Sequence, residues 1–161
     1  MKVQAVTDVG RERSVNQDYV YYSLTETGSL PNLFLVADGM GGHKAGDMAS
    51  RYTVETFVSL VQDSTLKDPV SIINNAVTQV NRRLLQKAAE SENYEGMGTT
   101  LVAATVYDNI LRVANVGDSR LYILGNEITQ ITRDHSLVEE MVSMGAVSYT
   151  HLRAHETSAH L

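Results

Sequence analysis

The most constraining feature of the chain is a short apolar run that ends abruptly in a carboxylate and a glycine-rich segment. Residues 33–37 are all apolar, Asp38 follows them, and four of the next eight residues are glycines. A continuous apolar run of this length is typical of a strand buried on both faces. A carboxylate at the end of such a strand is held rigidly, and Gly39 leaves the next backbone carbonyl open to a cation. The simpler alternative is an Asp-Gly turn without a chemical role.

Hydrophobic periodicity and turn residues predict an α+β fold with antiparallel sheets and helices packed outside them. Helices are predicted over residues 48–61, from the N-cap Asp68 to about residue 90, and from a capping box at residue 136 to Gly145. Hairpin turns are expected at Asp108-Asn109 and Gly125-Asn126. The predicted strands are 2–7, 19–24, 33–37, 99–107, 110–116, 121–124 and 128–131.

Composition excludes several classes of protein. The 161 residues are 43% hydrophobic and 20% charged, which fits one globular domain. A net charge of −6 argues against a nucleic-acid binder and against an acidic membrane surface as a partner. No cysteine is present, so disulfides, thiolate metal sites and cysteine nucleophiles are excluded. The chain shows no signal-peptide or membrane-span pattern, and we expect a cytoplasmic protein.

Four stretches carry residues suited to phosphate chemistry. The first stretch is a polar segment with Arg13 and Asp18 at its ends, and in the second Asp38 follows the apolar run. In the third Asp118 follows a glycine at a predicted turn, and in the fourth Asp134 precedes His135. An arginine suits phosphate because its planar fork donates two hydrogen bonds and keeps its charge. Each stretch alone is also explained by a solvated loop, a turn or a helix cap. Together, carboxylates at strand ends and turns with an arginine indicate metal-assisted hydrolysis of a phosphate ester.

The order of these motifs resembles that of the metal-dependent serine/threonine protein phosphatases of the PPM, or PP2C, family, bacterial branch. The resemblance covers almost everything up to residue 146 and implies a PP2C-like αββα sandwich, an antiparallel β-sandwich flanked by helices, with a two-metal centre at one end of its sheets. The centre would hold Mn²⁺ or Mg²⁺. The matching motifs are TDVGRERSVNQD (7–18), VADGMGGHKAGD (36–47), GMGTTL (96–101), NVGDSRLY (115–122) and DHSLV (134–138).

The same resemblance implies roles for individual residues. Asp38 would bridge the two metals, Gly39 would supply a backbone carbonyl, and Asp18 would serve the second metal directly or through water. Asp118 matches an aspartate associated with a third, weaker metal. Arg13 would clamp the substrate phosphate and, with Asp38, form the catalytic pair. His43 lies nearby and would help to protonate the leaving oxygen, although the family's better-known acid histidine falls at Met40.

The implied reaction is hydrolysis of phosphoserine and phosphothreonine in proteins by a metal-activated water, without a covalent phosphoenzyme. The implied partners are phosphorylated proteins and a cognate serine/threonine kinase, and a monomer is expected.

The sequence changes character after residue 146. The segment 147–161 contains three of the five histidines and shows no helical or strand period. It resembles the in-frame translation of a transposon-type sequencing adapter, although a histidine-rich metal tail is an alternative. We therefore predict a partial phosphatase domain at 1–146, incomplete at the C-terminus, followed by a non-native tail.

Two further metal aspartates of the family, in an S-D-G and a D-N segment, have no match in residues 123–161. Two adjacent divalent ions need several carboxylates, so the 161-residue chain is expected to be inactive or nearly so. A non-catalytic module of the same fold that binds phosphoprotein or kinase is the alternative from another class. A phosphatase acting on phosphorylated anti-sigma antagonist proteins is a third possibility.

Overall fold

The structure, a computed structural model, describes residues 1–41 and 45–135 of the chain. A short 3-10 helix, Glu92–Tyr94, lies before the strand Gly98–Thr99. The α+β class predicted from the order of the elements is confirmed. The elements in chain order are β1 (Asp18–Ser23), β2 (Leu33–Met40), α1 (Ala45–Gln62), α2 (Pro69–Ala88), β3 (Gly98–Thr99), β4 (Leu101–Tyr107), β5 (Ile110–Val116), β6 (Tyr122–Leu124) and β7 (Ile128–Gln130).

One antiparallel sheet organises the described residues. Its strands lie in the order β1-β2-β4-β5, and the short β3 pairs with the end of β2. In the register, Asp18 lies opposite Asp38 and Phe34 lies opposite Ala104. The β6–β7 hairpin forms a separate two-stranded sheet. The end of β2 is therefore flanked by β1 on one side and β3 on the other.

Both long helices contribute to the core on one face of this sheet. The inward side chains of β2 are fully buried, and Phe57 of α1 packs among them. Burial of a side chain as large as Phe57 contributes about 1.5–3 kcal/mol. Neither of these two helices, within the described residues, is apolar enough to cross a bilayer. The buried core consists of Leu30, Leu33, Leu35, Ala37, Val54, Phe57, Val61, Ile72, Ile73, Ala76, Val80, Leu101 and Ala103.

The opposite face of β2 is open, and the predicted burial of this strand on both faces is wrong. Val36, Asp38 and Met40 alternate with the buried residues and are exposed. Val36 keeps 44% of its surface accessible. Among the described residues the helices cover one face only, so an apolar run was not sufficient to establish two-sided burial. We call this open side, bearing Tyr22, Phe34 and Val36, the outer face.

The strand predicted at residues 2–7 is also wrong. Residues 3–7 line a groove beside Val20, Tyr22 and Val36 of the outer face, yet residues 1–17 form no strand. Thr7 contacts the segment before β1 through a side-chain hydrogen bond, in which Asn16 Nδ2 donates to Thr7 Oγ1 at 2.7 Å. Alternating apolar residues make a strand only where a neighbouring strand takes up the backbone donors and acceptors.

Other local signals were correct to within a few residues. The Asp68 carboxylate accepts the backbone N–H of Ser71 at 2.8 Å and caps α2, which ends at Ala88. Asp108 and Asn109 both have positive φ, as the predicted two-residue hairpin requires. The second hairpin is present, but its loop spans three residues because Leu124 pairs with Ile128. The helix predicted after residue 136 lies outside the described residues.

Candidate active site

Strand pairing brings two predicted metal ligands together. Asp18 begins β1, Asp38 lies near the end of β2, and the two are direct register partners. Directly opposite residues in an antiparallel pair place their Cβ atoms about 4.5–5.5 Å apart on one face. Both carboxylates therefore occupy the same end of the outer face, although they come from separate motifs of the sequence.

Asp38 carries the clearest electrostatic signature of the site. Partial burial and the charge of Asp18 raise the pKa of Asp38 above its ordinary value, and Asp118 acts in the same direction. The Arg13 guanidinium opposes this effect and lowers the pKa of Asp38. Asp38 nevertheless remains more than one-third exposed, so water screens these interactions. The three carboxylates and the arginine thus act on one another at one site.

An open cavity of about 890 Å³ lies over this end of the sheet. It gathers four of the residues predicted from the sequence, Arg13, Asp38, Gly39 and Asp118. Asp18 lies at the side and lines the neighbouring groove along residues 3–7. His43 lies outside the described residues, and its predicted role as a proton donor stays a prediction.

Arg13 reaches the cavity from the segment before β1. Its side chain is exposed, and within residues 1–41 and 45–135 it makes no hydrogen bond or salt bridge. The five N–H donors of its guanidinium therefore remain available to an anion in the cavity. This arrangement agrees with the predicted contact to a phosphate.

Gly39 is required by the packing between β2 and α1. A Cβ at this position would lie 1.9 Å from the carbonyl oxygen of Gly46 in the first turn of α1. The Gly39 amide also donates to the Gln17 carbonyl at 3.0 Å, which ties β2 to the segment before β1. Close approach of backbone to backbone thus explains the glycine, whether or not its carbonyl also binds a metal.

Thr100 connects the Asp38 backbone to the turn that carries Asp118. Its hydroxyl oxygen accepts the Asp38 amide at 3.0 Å, and its own amide donates to the Asp38 carbonyl at 2.9 Å. The same hydroxyl lies 2.6 Å from the Ser119 hydroxyl. The strand predicted over 99–107 is interrupted at this residue and divided into β3 and β4.

The Asp118 turn is held from its other side by residues 133–135. Asn115 Nδ2 donates to the Arg133 carbonyl at 2.8 Å, and the His135 amide donates to the Gly117 carbonyl at 2.9 Å. Arg120 Nε donates to both carboxylate oxygens of Asp134 at 3.0 Å. These bonds place His135 on the wall of the cavity. Since β5 and β6 belong to different sheets, Asp118 does not occupy a simple hairpin turn.

The sequence profile of the family described as Protein phosphatase 2C matches residues 9–157. The chain belongs to the protein phosphatase 2C family. The resemblance inferred from the five ordered motifs is therefore confirmed.

Two curated relatives of this phosphatase 2C chain are phosphatases of Streptococcus pneumoniae and Listeria innocua. Protein phosphatase PhpP of Streptococcus pneumoniae is 35% identical over 159 residues, which cover 96% of this chain and 63% of that protein. Serine/threonine phosphatase stp of Listeria innocua is 37% identical over 153 residues, covering 92% of this chain and 60% of that protein. The chain spans about three-fifths of the length of these relatives.

A solved structure with the same fold confirms the predicted fold class. Serine/threonine phosphatase Stp1 from Staphylococcus aureus superposes with a TM-score of 0.75 at 36% identity, covering 90% of this chain and 60% of that one.

The donor set of this phosphatase 2C chain fits part of a divalent-cation site. Carboxylate oxygens are the ligands that Mg²⁺ and Mn²⁺ prefer, and a cation between Asp18 and Asp38 would offset the repulsion that raises the pKa of Asp38. The described residues contain no group of three or more His, Asp or Glu side chains arranged to hold a metal ion. The acidic pair therefore fits such a cation, while the number and identity of the ions stay predictions.

Several cavity residues within the family motifs were not predicted as site residues, among them three polar ones. Thr100, Asn115 and His135 all line the cavity. The helix-cap alternative for the stretch at Asp134 does not include its pairing with Arg120, whose Nε donates to both carboxylate oxygens. The available signal was the spacing of motifs, because Thr100 and Asn115 lie inside GMGTTL and NVGDSRLY.

Proposed function

We propose that this chain forms part of the catalytic domain of a metal-dependent phosphatase that hydrolyses phosphoserine and phosphothreonine in proteins. The observation that carries the proposal is one cavity in which Arg13 faces the same carboxylate, Asp38, that lies opposite Asp18. A cation site next to a guanidinium that has no partner among the described residues is suited to binding a phosphate dianion. The names of the relatives as protein phosphatases support the same reaction class.

The acidic pair is proposed to hold the metals. Asp38 would bridge two ions of Mn²⁺ or Mg²⁺, with Asp18 serving the second ion and the Gly39 carbonyl an additional donor. Asp118 would serve a third, weaker site at the opposite wall. When bound, such ions supply positive charge that polarises the phosphoryl group and acidifies water. The strand register supports this assignment because it fixes the two carboxylates before any cation arrives.

Arg13 is proposed to bind and orient the substrate. Its guanidinium would donate two hydrogen bonds to the non-bridging phosphate oxygens and neutralise charge that develops on them. A cavity of about 890 Å³ accommodates a phosphorylated side chain with part of its peptide. The open mouth of the site fits a protein substrate better than an enclosed small molecule.

The proposed chemistry is a direct displacement. The oxygen of a water molecule forms a bond to phosphorus as the bond to the serine or threonine oxygen breaks, and the leaving oxygen takes up a proton. His43 is the proposed donor of that proton. The chain has no cysteine, so a thiolate nucleophile is absent. We expect the enzyme to be a cytoplasmic monomer that reverses the phosphorylation carried out by a serine/threonine kinase.

The test compares hydrolysis of an aryl phosphate and a phosphothreonine peptide with and without Mn²⁺. The protein is expressed from its own locus with the complete reading frame, and the 161-residue chain is assayed in parallel. Asp38→Asn is expected to lower kcat/KM at least about 100-fold, because it removes a charged metal ligand. Arg13→Lys is expected to raise KM by about tenfold, since the bidentate contact is lost. Metal-dependent turnover that persists in the Asp38→Asn variant would contradict the proposal.

The domain boundary is part of the same proposal. We propose that residues 1–146 belong to the phosphatase domain and that 147–161 are not native. Sequencing the locus across codon 147 decides the point. A frame that continues into S-D-G and D-N segments supports it, and a frame that continues as 147–161 overturns it.

The alternative function is a non-catalytic module that binds phosphoprotein or kinase. The observation that favours it is the absence, among the described residues, of a three-residue acidic or histidine cluster for a metal. On this alternative a phosphothreonine peptide binds through Arg13, binding is lost in Arg13→Ala, and no phosphate is released at any Mn²⁺ concentration. Release of phosphate from the bound peptide excludes the alternative.

A further inference from the structure

The backbone of Asp38 is held at both of its polar groups by a single neighbouring residue. The Thr100 hydroxyl accepts the Asp38 amide at 3.0 Å, and the Thr100 amide donates to the Asp38 carbonyl at 2.9 Å. Thr99 adds a hydroxyl bond to the same carbonyl at 3.0 Å. The peptide units on either side of the Asp38 Cα are therefore fixed where β2 meets the junction of β3 and β4.

The same threonine contacts the turn that carries Asp118. Its hydroxyl lies 2.6 Å from that of Ser119, the residue after Asp118. Its methyl group packs against Gly117, where an added Cβ would lie only 2.8 Å from Thr100 Cγ2. Gly117 has a φ of +93°, so the turn approaches Thr100 in a backbone conformation that favours glycine. Thr100 thus contacts the residues on both sides of Asp118.

These contacts use two of the three hydrogen-bonding positions of the Thr100 hydroxyl. A hydroxyl has one donor and two acceptor positions, and here one acceptor position takes the Asp38 amide while the Ser119 hydroxyl takes another. Thr100 is 8% exposed, so water cannot easily replace either partner. A hydrogen-bonded path, Asp38 amide to Thr100 to Ser119, therefore joins the two walls of the cavity.

We propose that Thr100 is a positioning residue that sets the separation between Asp38 and Asp118 and so prepares the cavity for divalent cations. The proposal rests on the function proposed above, in which both aspartates serve metals. The like charges of Asp38 and Asp118 repel each other in the absence of a cation. A metal site loses affinity when its ligands shift by about 0.5 Å, and residues that orient ligands typically contribute about 10- to 100-fold to affinity.

The chain offers a matched control for this proposal on the same strand segment. Thr105 is a fully buried threonine whose hydroxyl donates to the Asn32 carbonyl at 2.8 Å, towards the opposite end of β4. Thr100→Val and Thr105→Val each remove a threonine hydroxyl from a buried site. Thr100→Ser keeps the hydroxyl, and Ser119→Ala breaks only the bridge to the Asp118 turn.

The first readout needs no metal. Amide hydrogen exchange is measured by NMR in EDTA for the wild-type chain and the four variants. In Thr100→Val, exchange at the Asp38 amide and at residues 117–119 is expected to accelerate at least about fivefold, as the loss of one buried hydrogen bond implies. Thr100→Ser should retain the wild-type rates, and Thr105→Val should alter exchange near Asn32 only.

The second readout is Mn²⁺ affinity measured by calorimetry. Thr100→Val is expected to weaken binding by about 10- to 100-fold, with Thr100→Ser close to wild type and Thr105→Val unchanged. Ser119→Ala should accelerate amide exchange at residues 117–119 while the Asp38 amide stays protected. If Thr100→Val does not fold, the exchange rates of Ser119→Ala test the proposal in its place. Equal effects of Thr100→Val and Thr105→Val, or no effect of Ser119→Ala on 117–119, overturn the proposal.

Failure of the positioning role and failure of the proposed function give different results. If Thr100→Val selectively accelerates exchange at Asp38 and 117–119, but neither the wild type nor any variant binds Mn²⁺ when expressed with the complete reading frame, the bridge exists and the metal-dependent function is wrong. If Mn²⁺ binds equally to wild type and Thr100→Val, the function survives and the positioning role is wrong.

Discussion

At Asp38 the folded protein holds a carboxylate close to two others, and this arrangement has a consequence for stability without metal. Burial and the charges of Asp18 and Asp118 raise the pKa of Asp38 above 3.8 despite the opposing charge of Arg13. The folded state therefore binds this proton more tightly than the unfolded chain does. The unfavourable contribution of the ionised group is fully present above the raised pKa and disappears as the pH falls below 3.8.

We expect Asp38→Asn to stabilise the metal-free protein at pH 7 by less than about 1 kcal/mol, since the group is partly exposed and screened. The measurement is urea unfolding in EDTA over a pH series from 7 down to 3.8. The gain should shrink as the pH falls through the raised pKa of Asp38, because the wild-type carboxylate then takes up its proton. Asp108→Asn removes the same charge from an exposed hairpin turn and should change little. A destabilised Asp38→Asn protein at pH 7 would contradict the electrostatic account.

Asp38 could be predicted as a site residue from the pattern of its own strand, whereas for Thr100 the sequence offered only its place inside a family motif. An aspartate at the end of an apolar run stands out because the run predicts burial and a charged carboxylate disfavours it. Thr100 sits in a stretch rich in β-branched residues, and its hydroxyl gains a role only through residues 62 and 19 positions away. Such non-local pairing is set by sheet register, which the sequence of one strand does not contain.

At the level of elements, the site depends on how closely the end of β2 approaches the first turn of α1. A Cβ at Gly39 would lie 1.9 Å from a backbone oxygen of Gly46, and backbone atoms cannot rotate away. Gly39→Ala is therefore expected to destabilise the fold by about 1–3 kcal/mol or more. It should also displace the Asp38 carboxylate, which lies one residue before it.

Thermal unfolding and Mn²⁺ calorimetry of Gly39→Ala check this expectation. Gly125→Ala is the control, because an added Cβ there meets no atom within 4 Å. That variant should match the wild type or gain slightly through reduced freedom of the unfolded chain. Equal stability of the two alanine variants would show that α1 and β2 are not packed as closely as the structure has them.

The elements that sequence patterns placed correctly are those with their own start and stop signals. α2 has an aspartate cap and a proline in its first turn, and the β4–β5 hairpin has residues that accept positive φ. The errors at 2–7 and on the outer side of β2 have a different origin. In both cases the pattern was present, but pairing or burial depended on what other parts of the chain supply.

For the whole molecule, the open side of the sheet is the feature with the broadest consequence. Tyr22 keeps 48% and Val36 44% of their surfaces exposed on the outer face, and β1 is an edge strand. Contiguous exposed apolar surface beside an unpaired edge favours association between copies. The 161-residue chain is therefore expected to bind a hydrophobic dye and to self-associate as its concentration rises.

The test of this expectation is the double variant Tyr22→Thr with Val36→Thr, because threonine is β-branched and suits a strand. Dye fluorescence and sedimentation velocity should both report less association, while the urea midpoint changes little because neither side chain lies in the buried core. Leu85→Gln removes an apolar side chain that is 64% exposed on α2, and it should leave association unchanged. If association falls equally in the double variant and in Leu85→Gln, general surface hydrophobicity drives it and the expectation is wrong. An interaction specific to the outer face would weaken in the double variant alone.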